Sequence, residues 1–142
     1  MVGAASAGYA FEWGSDSDRH GASGTVDVWW GLDDFAWLAA SASVAGVVTG
    51  PDQPGRVSME ALAGGVLALD ILRWVPWTEL LVGIGGPTDA LGPTGRVGLG
   101  LDYLLSPRWS IGPAARLRPF PAAEGSDGIF TVQLRLARRF EL

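Results

Sequence analysis

The sequence predicts an all-β fold: one domain over residues 1–142, built as an antiparallel up-and-down barrel of eight strands that crosses a membrane. Three observations predict it. Apolar and polar residues alternate with a period of two in most segments, as in strands that have two different faces. No uncharged apolar run reaches the roughly 18 residues that a membrane-spanning helix needs. Eight strands of about 10 residues, with their connections, would use nearly the whole chain.

The strand nearest the C-terminus has a clear two-sided pattern. From Phe130 onward, one set of alternate residues is mainly apolar, while the other set carries Arg135 and Arg139. No turn interrupts that second set, so its surroundings must be polar along the strand. In a soluble sandwich it would face water, whereas in a membrane barrel it would face a polar lumen while the apolar set faces lipid.

The other segments are taken in chain order. The first strand, Val2 to Gly14, sets aromatic residues against small or acidic ones and leads into a loop rich in Ser and Asp. The fourth segment has helical propensity, but adjacent Gly64 and Gly65 would weaken a helix centre. Pro113 removes a backbone donor from the seventh strand, so we expect a bulge there. The segments after the first are 23–32, 36–49, 57–72, 78–86, 96–105, 109–118 and 128–142.

The connections and the aromatic residues favour a membrane. Connections after strands one, three, five and seven are long and rich in Gly, Pro and Asp, and the others are tight. Most tryptophans lie beside the tight turns, while Trp13, Phe120 and Phe130 lie near the long loops. Trp and Tyr favour the membrane–water boundary because each has an apolar ring with one polar atom. The expected interfacial residues are Trp13, Trp30, Trp74, Trp77, Tyr103, Trp109, Phe130 and Phe140.

The last eight residues contain Arg135, Ala137, Phe140 and Leu142 in the order polar, small, aromatic, apolar. This order resembles the C-terminal assembly signal of bacterial outer-membrane proteins, with Ala137 in place of the usual glycine and Leu142 in place of an aromatic residue. Over its whole length the chain is similar to small eight-stranded barrels of the OmpA and OmpX type. The resemblance implies insertion into the bacterial outer membrane by the barrel-assembly machinery, with both termini in the periplasm.

Charged residues collect on the polar sides of the predicted strands. Acids come mainly from the first six strands and bases mainly from the last three. Unpaired buried charge is costly, and an eight-stranded barrel is just wide enough for side chains to fill, so these groups must pair. We expect an ion-pair network that plugs the lumen, formed by Glu12, Asp27, Glu60, Asp70, Glu79, Asp102, Arg96, Arg116, Arg118, Arg135 and Arg139. A gated ion path through rearranging pairs is the alternative.

Enzymatic chemistry has little support. The chain lacks cysteine, which excludes disulfides, thiolate catalysis and cysteine-bound metal. The only histidine, His20, lies in the predicted first loop among Ser15, Asp16, Ser17, Asp18 and Ser23, residue types that loops commonly contain. The outer-membrane palmitoyltransferase keeps its catalytic histidine in an external loop, whereas a lipid A deacylase barrel would need His and Ser on a strand. Spacing alone gives Asp16, Asp18 and His20 no metal geometry, so we expect no catalytic site, metal or cofactor.

Composition limits the partners. A net charge of -5 provides no basic stripe for nucleic acid, so the expected partner is the lipid bilayer, with the protein a monomer. Residues Met1 to Gly8 lack the charged start and apolar core of a secretion signal. The expected function is structural or anchoring, without a steady large pore. Besides the small gated channel, a soluble lipocalin-like barrel with the apolar side lining a ligand cavity is an alternative.

Overall fold

The computed structural model describes residues 1–13, 18–48, 55–70, 73–119 and 128–140. Two residues named in the sequence analysis lie outside these ranges: Phe120, which was placed near a long loop, and Leu142 of the assembly signal. Ser15, Asp16 and Ser17 also lie outside them. The strands are β1 (Val2–Trp13), β2 (Arg19–Gly31), β3 (Ala36–Val48), β4 (Arg56–Ala68), β5 (Trp74–Pro87), β6 (Gly92–Leu104), β7 (Trp109–Pro119) and β8 (Gly128–Arg139). Within the described ranges no helix is long and apolar enough to cross a membrane.

The strands pair in sequence order, each antiparallel to the next, and β8 pairs with β1 to close the barrel. The predicted fold class is therefore confirmed. We call the end of the barrel at which β2, β4 and β6 end the tight-turn end, and the opposite end the loop end. The connection after β5 is shorter than expected, because β5 continues to Pro87 and β6 already begins at Gly92.

Alternation along each strand separates a polar interior from an apolar outer wall. On β6, Arg96 and Asp102 are buried, whereas Leu99 between them is 63% exposed. On β8, Arg135 is buried while Val132 and Leu134 are exposed. The lipocalin-like alternative is wrong, because it requires the apolar side to line the interior. Exposed residues of the outer wall include Val26, Leu38, Val44, Met59, Leu80, Val82, Ile84, Leu101 and Leu136.

Two apolar clusters also lie inside the barrel. The smaller one consists of Ala10, Ala45, Val47 and Ile129. The larger one gathers toward the tight-turn end and includes Val2, Ala4, Trp29, Ala39, Leu62, Val66, Ala68, Val75, Trp77, Leu81, Ala114 and Ala137. The polar interior is therefore packed against apolar side chains.

Pro113 interrupts the ladder between β6 and β7 without a bulge. The register is the same on its two sides, with Leu99 opposite Ala115 and Tyr103 opposite Ile111. An inserted residue would have shifted the register by one, so the expected bulge is wrong. Pro113 points outward and still pairs with Leu134 of β8 in register.

Gly83 marks a close approach of two strands that the small barrel requires. A Cβ atom there would point at the carbonyl of Ala61 on β4 and lie 3.0 Å from the Cα atom of Leu62. Both are backbone atoms, which cannot move aside as a flexible side chain can. On the outer wall, by contrast, a Cβ atom at Gly65 would meet nothing within 4 Å.

We predict that Gly83→Ala destabilises the barrel by about 1–3 kcal/mol, because an added methyl group in a packed site forces backbone shifts. Gly65→Ala is the matched control on the neighbouring strand and should stay within about 0.5 kcal/mol of the parent. Urea unfolding of the three proteins in the same detergent measures both. Equal stability of the two variants would contradict the close approach at Gly83.

Candidate functional site: a charged network across the barrel interior

Arg96 of β6 is the centre of the buried network. Its Nε atom donates to Glu79 at 2.8 Å, and its Nη1 atom donates to Glu60 at 2.6 Å. Its Nη2 atom donates to the Ser41 hydroxyl at 2.7 Å and contacts Asp27 at 3.4 Å. These partners lie on β2, β3, β4 and β5, so one guanidinium reaches across the interior and joins four other strands.

Arg116 of β7 shares two of these carboxylates. Its Nε atom donates to Glu79 at 3.0 Å, and its Nη2 atom donates to Asp27 at 2.7 Å. Glu79 and Asp27 therefore each lie between two guanidinium groups and offset the repulsion between Arg96 and Arg116. Arg118 extends the network by donating to the second oxygen of Glu60 at 2.9 Å.

The terminal strands complete the network with neutral groups. Gln133 of β8 accepts a hydrogen bond from Nη1 of Arg116, and Ser6 of β1 accepts one from the same nitrogen at 2.9 Å. The amide nitrogen of Gln133 donates to Ser23 at 2.9 Å and to Thr25 at 3.1 Å. With these contacts all eight strands contribute a side chain to the network.

A glycine provides the space for the crowded centre. A Cβ atom at Gly98 would lie 2.8 Å from Oε1 of Glu79 and 3.0 Å from Cγ of Arg116. Gly98 follows Arg96 on the inward side of β6 and is buried. The absence of a side chain there lets Glu79 and Arg116 approach each other across β6.

A second ionic unit lies toward the tight-turn end, where Arg135 pairs with Asp102. The guanidinium carbon of Arg135 is 4.1 Å from the ring centroid of Trp29 and 5.2 Å from that of Trp77. Trp77 donates from its indole nitrogen to Asp102 at 3.2 Å, and Ser110 donates to the same carboxylate at 3.3 Å. Arg135 is thus held by one carboxylate and by two aromatic faces, an arrangement that favours a cation in a low-dielectric interior.

The sequence placed Trp77 at the membrane interface, and this prediction is wrong. Trp77 lies in the interior and is only 3% exposed. Segment 73–77 was expected to be a turn, yet β5 begins at Trp74, and alternation then places Trp77 on the same side as Glu79 and Leu81. Trp29 is buried beside it, edge to face, with 5.5 Å between the ring centroids.

The expected network also contains residues that lie at its ends. Glu12 is buried near the loop end and pairs with the partly exposed Arg19 at 2.7 Å and Arg56 at 3.1 Å. Asp70 and Arg139 pair with each other at 2.7 Å, with side chains that are 45% and 34% exposed. This pair lies at the rim, because Asp70 follows the last residue of β4 and Arg139 ends β8. Asp70 and Arg139 are therefore separate from the buried network.

The remaining expected interfacial aromatics lie on the outer surface. Trp74 packs edge to face on Tyr103 at 4.9 Å near the tight-turn end, and Trp13 stacks on Phe11 at 6.4 Å near the loop end. The others, Trp30, Trp109, Phe130 and Phe140, are exposed. Of the residues assigned to the assembly signal, Arg135 and Ala137 point inward and Phe140 outward.

A cavity of about 20 Å³ adjoins the network, which is room for roughly one water molecule, since one needs at least about 10–15 Å³ on this measure. Its lining includes Glu60, Arg96, Arg116, Arg118, Thr131 and Gln133. The cavity can hydrate the ion pairs, but it is too small for a solute.

His20 lies on β2 and is exposed, so its expected loop position is wrong. Its Nδ1 atom shares a short hydrogen bond with the Tyr9 hydroxyl, and its ring lies 5.2 Å from that of Phe11. Asp18 is exposed just before β2. Among the residues with described positions, no group of three His, Asp or Glu side chains could hold a metal ion.

Solved structures share this architecture. Neisserial surface protein A matches with a TM-score of 0.77 and 14% sequence identity, over 98% of this chain and 96% of its own. This chain has the fold of the small eight-stranded outer-membrane β-barrels. The outer membrane protein OprG from Pseudomonas aeruginosa matches at 0.65 with 10% identity, over 99% and 96% of the two chains. The outer membrane enzyme PagL matches at 0.59 with 18% identity, over 96% and 99%. No protein-family profile and no curated protein sequence matches the chain.

We predict that Glu79→Gln destabilises the barrel by about 3–5 kcal/mol, because it removes the charge between two buried guanidinium groups. Asp70→Asn is the matched control: it breaks an ion pair at the exposed rim and should cost less than about 1 kcal/mol. Urea unfolding in detergent measures the difference. If Glu79→Gln costs no more than Asp70→Asn, the buried pairs do not depend on one another.

Proposed function

We propose that the protein is an integral outer-membrane barrel whose lumen is plugged by ion pairs and whose role is structural or anchoring. The observation that carries the proposal is the span of Arg96, which contacts side chains of β2, β3, β4 and β5 at once. A solute-sized path along the barrel would have to break these contacts. A charged side chain that stays buried after losing its ion-pair partner lowers the stability of the protein by several kcal/mol.

The outer wall supports the membrane placement. Large apolar side chains such as Leu80, Val82 and Leu134 are more than half exposed on several strands. Exposing an apolar surface of this extent to water is unfavourable. In a membrane barrel, the acyl chains of the lipids cover such a surface. Aromatic residues at both strand ends suit the two bilayer interfaces. The outer membrane is favoured because the matched solved structures are outer-membrane barrels.

The orientation and the assembly route belong to the same proposal. In barrels of this kind the short turns face the periplasm and the longer loops face outward, so we place the tight-turn end and both termini of the barrel in the periplasm. Insertion would use the barrel-assembly machinery, which would read the region around Phe140. We propose a monomer, because each charged side chain of the buried network has an ion-pair partner within the same chain.

We propose no catalytic role, although PagL is described as an enzyme. His20 is the only histidine, and its hydrogen-bond partner is the phenol of Tyr9. A neutral phenol lacks the negative charge with which a carboxylate orients an imidazole and stabilises its protonated form.

Recording from planar bilayers tests the proposal. Protein is reconstituted into vesicles, washed with alkali to remove protein that is not inserted, and fused with the bilayer. We expect no steady current from the unmodified protein, and leak openings from Glu79→Gln, which disrupts the network. Asp70→Asn should stay silent, because its pair lies at the rim.

Two outcomes would contradict different parts of the proposal. A stable large conductance of the unmodified protein would show that the barrel is a channel and that its lumen is not plugged. Loss of the protein in the alkaline wash would instead overturn the membrane placement.

A further inference from the structure

The ten basic residues of the chain are all arginines, and they divide into two groups. Seven form ion pairs with a carboxylate: Arg19, Arg56, Arg96, Arg116, Arg118, Arg135 and Arg139. Arg73, Arg108 and Arg138 have no carboxylate within ion-pair distance among the described residues. These three are exposed, and all lie at the tight-turn end.

Two of the three arginines lie at neighbouring strands, because β7 pairs with β8. Arg73 precedes β5, Arg108 precedes β7, and Arg138 is near the end of β8. The β2–β3 turn at the same end contains exposed Asp33 and Asp34. The neighbouring exposed cations, Arg108 and Arg138, favour an anionic ligand beside β7 and β8.

Arg138 has a defined environment on that side. It points outward, with its guanidinium carbon 5.4 Å from the ring of Trp109 and 4.9 Å from the ring of Phe140. Its register partner on β1 is Gly3, and Phe140 lies over that glycine, 3.4 Å from where a Cβ atom would be. The guanidinium thus lies against two aromatic rings and remains exposed at the surface.

Arg108 lies beside this position. Its carbonyl accepts a hydrogen bond from the backbone nitrogen of Arg139 at 2.8 Å, and Trp109, the next residue, is opposite Arg138. Toward the middle of the outer wall, Ile111 and Leu136 form the next register pair and present an apolar surface. Two cations thus lie above apolar side chains, which matches a phosphate headgroup above its acyl chains.

We propose that Arg108, Arg138 and Trp109 form a binding site for an anionic phospholipid. The ligand class is a phosphatidylglycerol-type lipid, because a guanidinium donates several hydrogen bonds to a phosphate and a zwitterionic lipid lacks the net charge. The inference rests on the proposed membrane placement, and the proposed orientation puts the site in the periplasmic leaflet.

Fluorescence quenching by brominated lipids tests the site. The protein is reconstituted in phosphatidylcholine vesicles that contain a minor amount of brominated phosphatidylglycerol or brominated phosphatidylcholine. The contribution of Trp109 is obtained by subtracting the signal of Trp109→Phe. We expect brominated phosphatidylglycerol to quench Trp109 more strongly than brominated phosphatidylcholine does. The preference is the ratio of the two lipids' apparent affinities for the site, and it should fall by about fivefold for each arginine removed. This factor is the equivalent of about 1 kcal/mol per basic residue. High salt should lower the preference as well.

The variants are Arg138→Gln, Arg108→Gln and the double variant, in which the preference should approach one. Arg139→Gln is the matched control, because Arg139 is the adjacent residue but pairs with Asp70, and it should keep the parent preference. Equal quenching by both lipids in the parent, or an equal loss in Arg139→Gln, would overturn the site. Absence of quenching by either lipid would overturn the membrane placement itself.

Discussion

The pairing of buried arginines with buried carboxylates is the interaction on which the rest of the interior depends. Removing an ion from water costs several kcal/mol even after relaxation, so Arg96, Arg116, Arg118 and Arg135 require Asp27, Glu60, Glu79 and Asp102. The sharing of Glu79 and Asp27 between Arg96 and Arg116 makes the pairs interdependent. Because the partners lie on strands across the barrel, the charges that need one another also hold the opposite walls together.

The same alternation that lines the interior with charge covers the outer wall with apolar side chains. Each strand therefore presents polar side chains to the interior and apolar side chains to the outside. The register between strands decides whether all strands do so at the same level of the barrel. Closure adds a steric demand, which Gly83 and Gly98 meet at points where a side chain would collide with a neighbouring strand or with the network. The protein thus combines a lumen filled by polar side chains with an exterior suited to lipid.

The fold could be predicted from the sequence because its main determinant is local. A period of two, with charge on one side of each strand, indicates eight two-sided strands, and the inward positions of Glu60, Glu79 and Arg96 follow from it. Which acid meets which arginine could not be predicted, because that depends on register and shear between strands far apart in sequence. Trp77 was misplaced because Pro76 resembles a turn signal, although a proline is tolerated near the start of a strand. The hydrogen bonds of Gln133 and Ser6 to Arg116 could not be predicted either, because the sequence shows only that both residues lie on the inward side of their strands.

A double-mutant cycle on Arg135 and Asp102 tests most directly whether a buried arginine of the interior depends on its carboxylate. This pair is the cleanest, because each of the two residues has its only ion pair with the other among the described residues. The free energy of unfolding in detergent is measured for the parent, Arg135→Met, Asp102→Asn and the double variant. Dependence of the arginine on its carboxylate predicts a coupling energy of about 1–3 kcal/mol, with the double variant less destabilised than the sum of the two single variants. Additive losses, within about 0.5 kcal/mol, would contradict it.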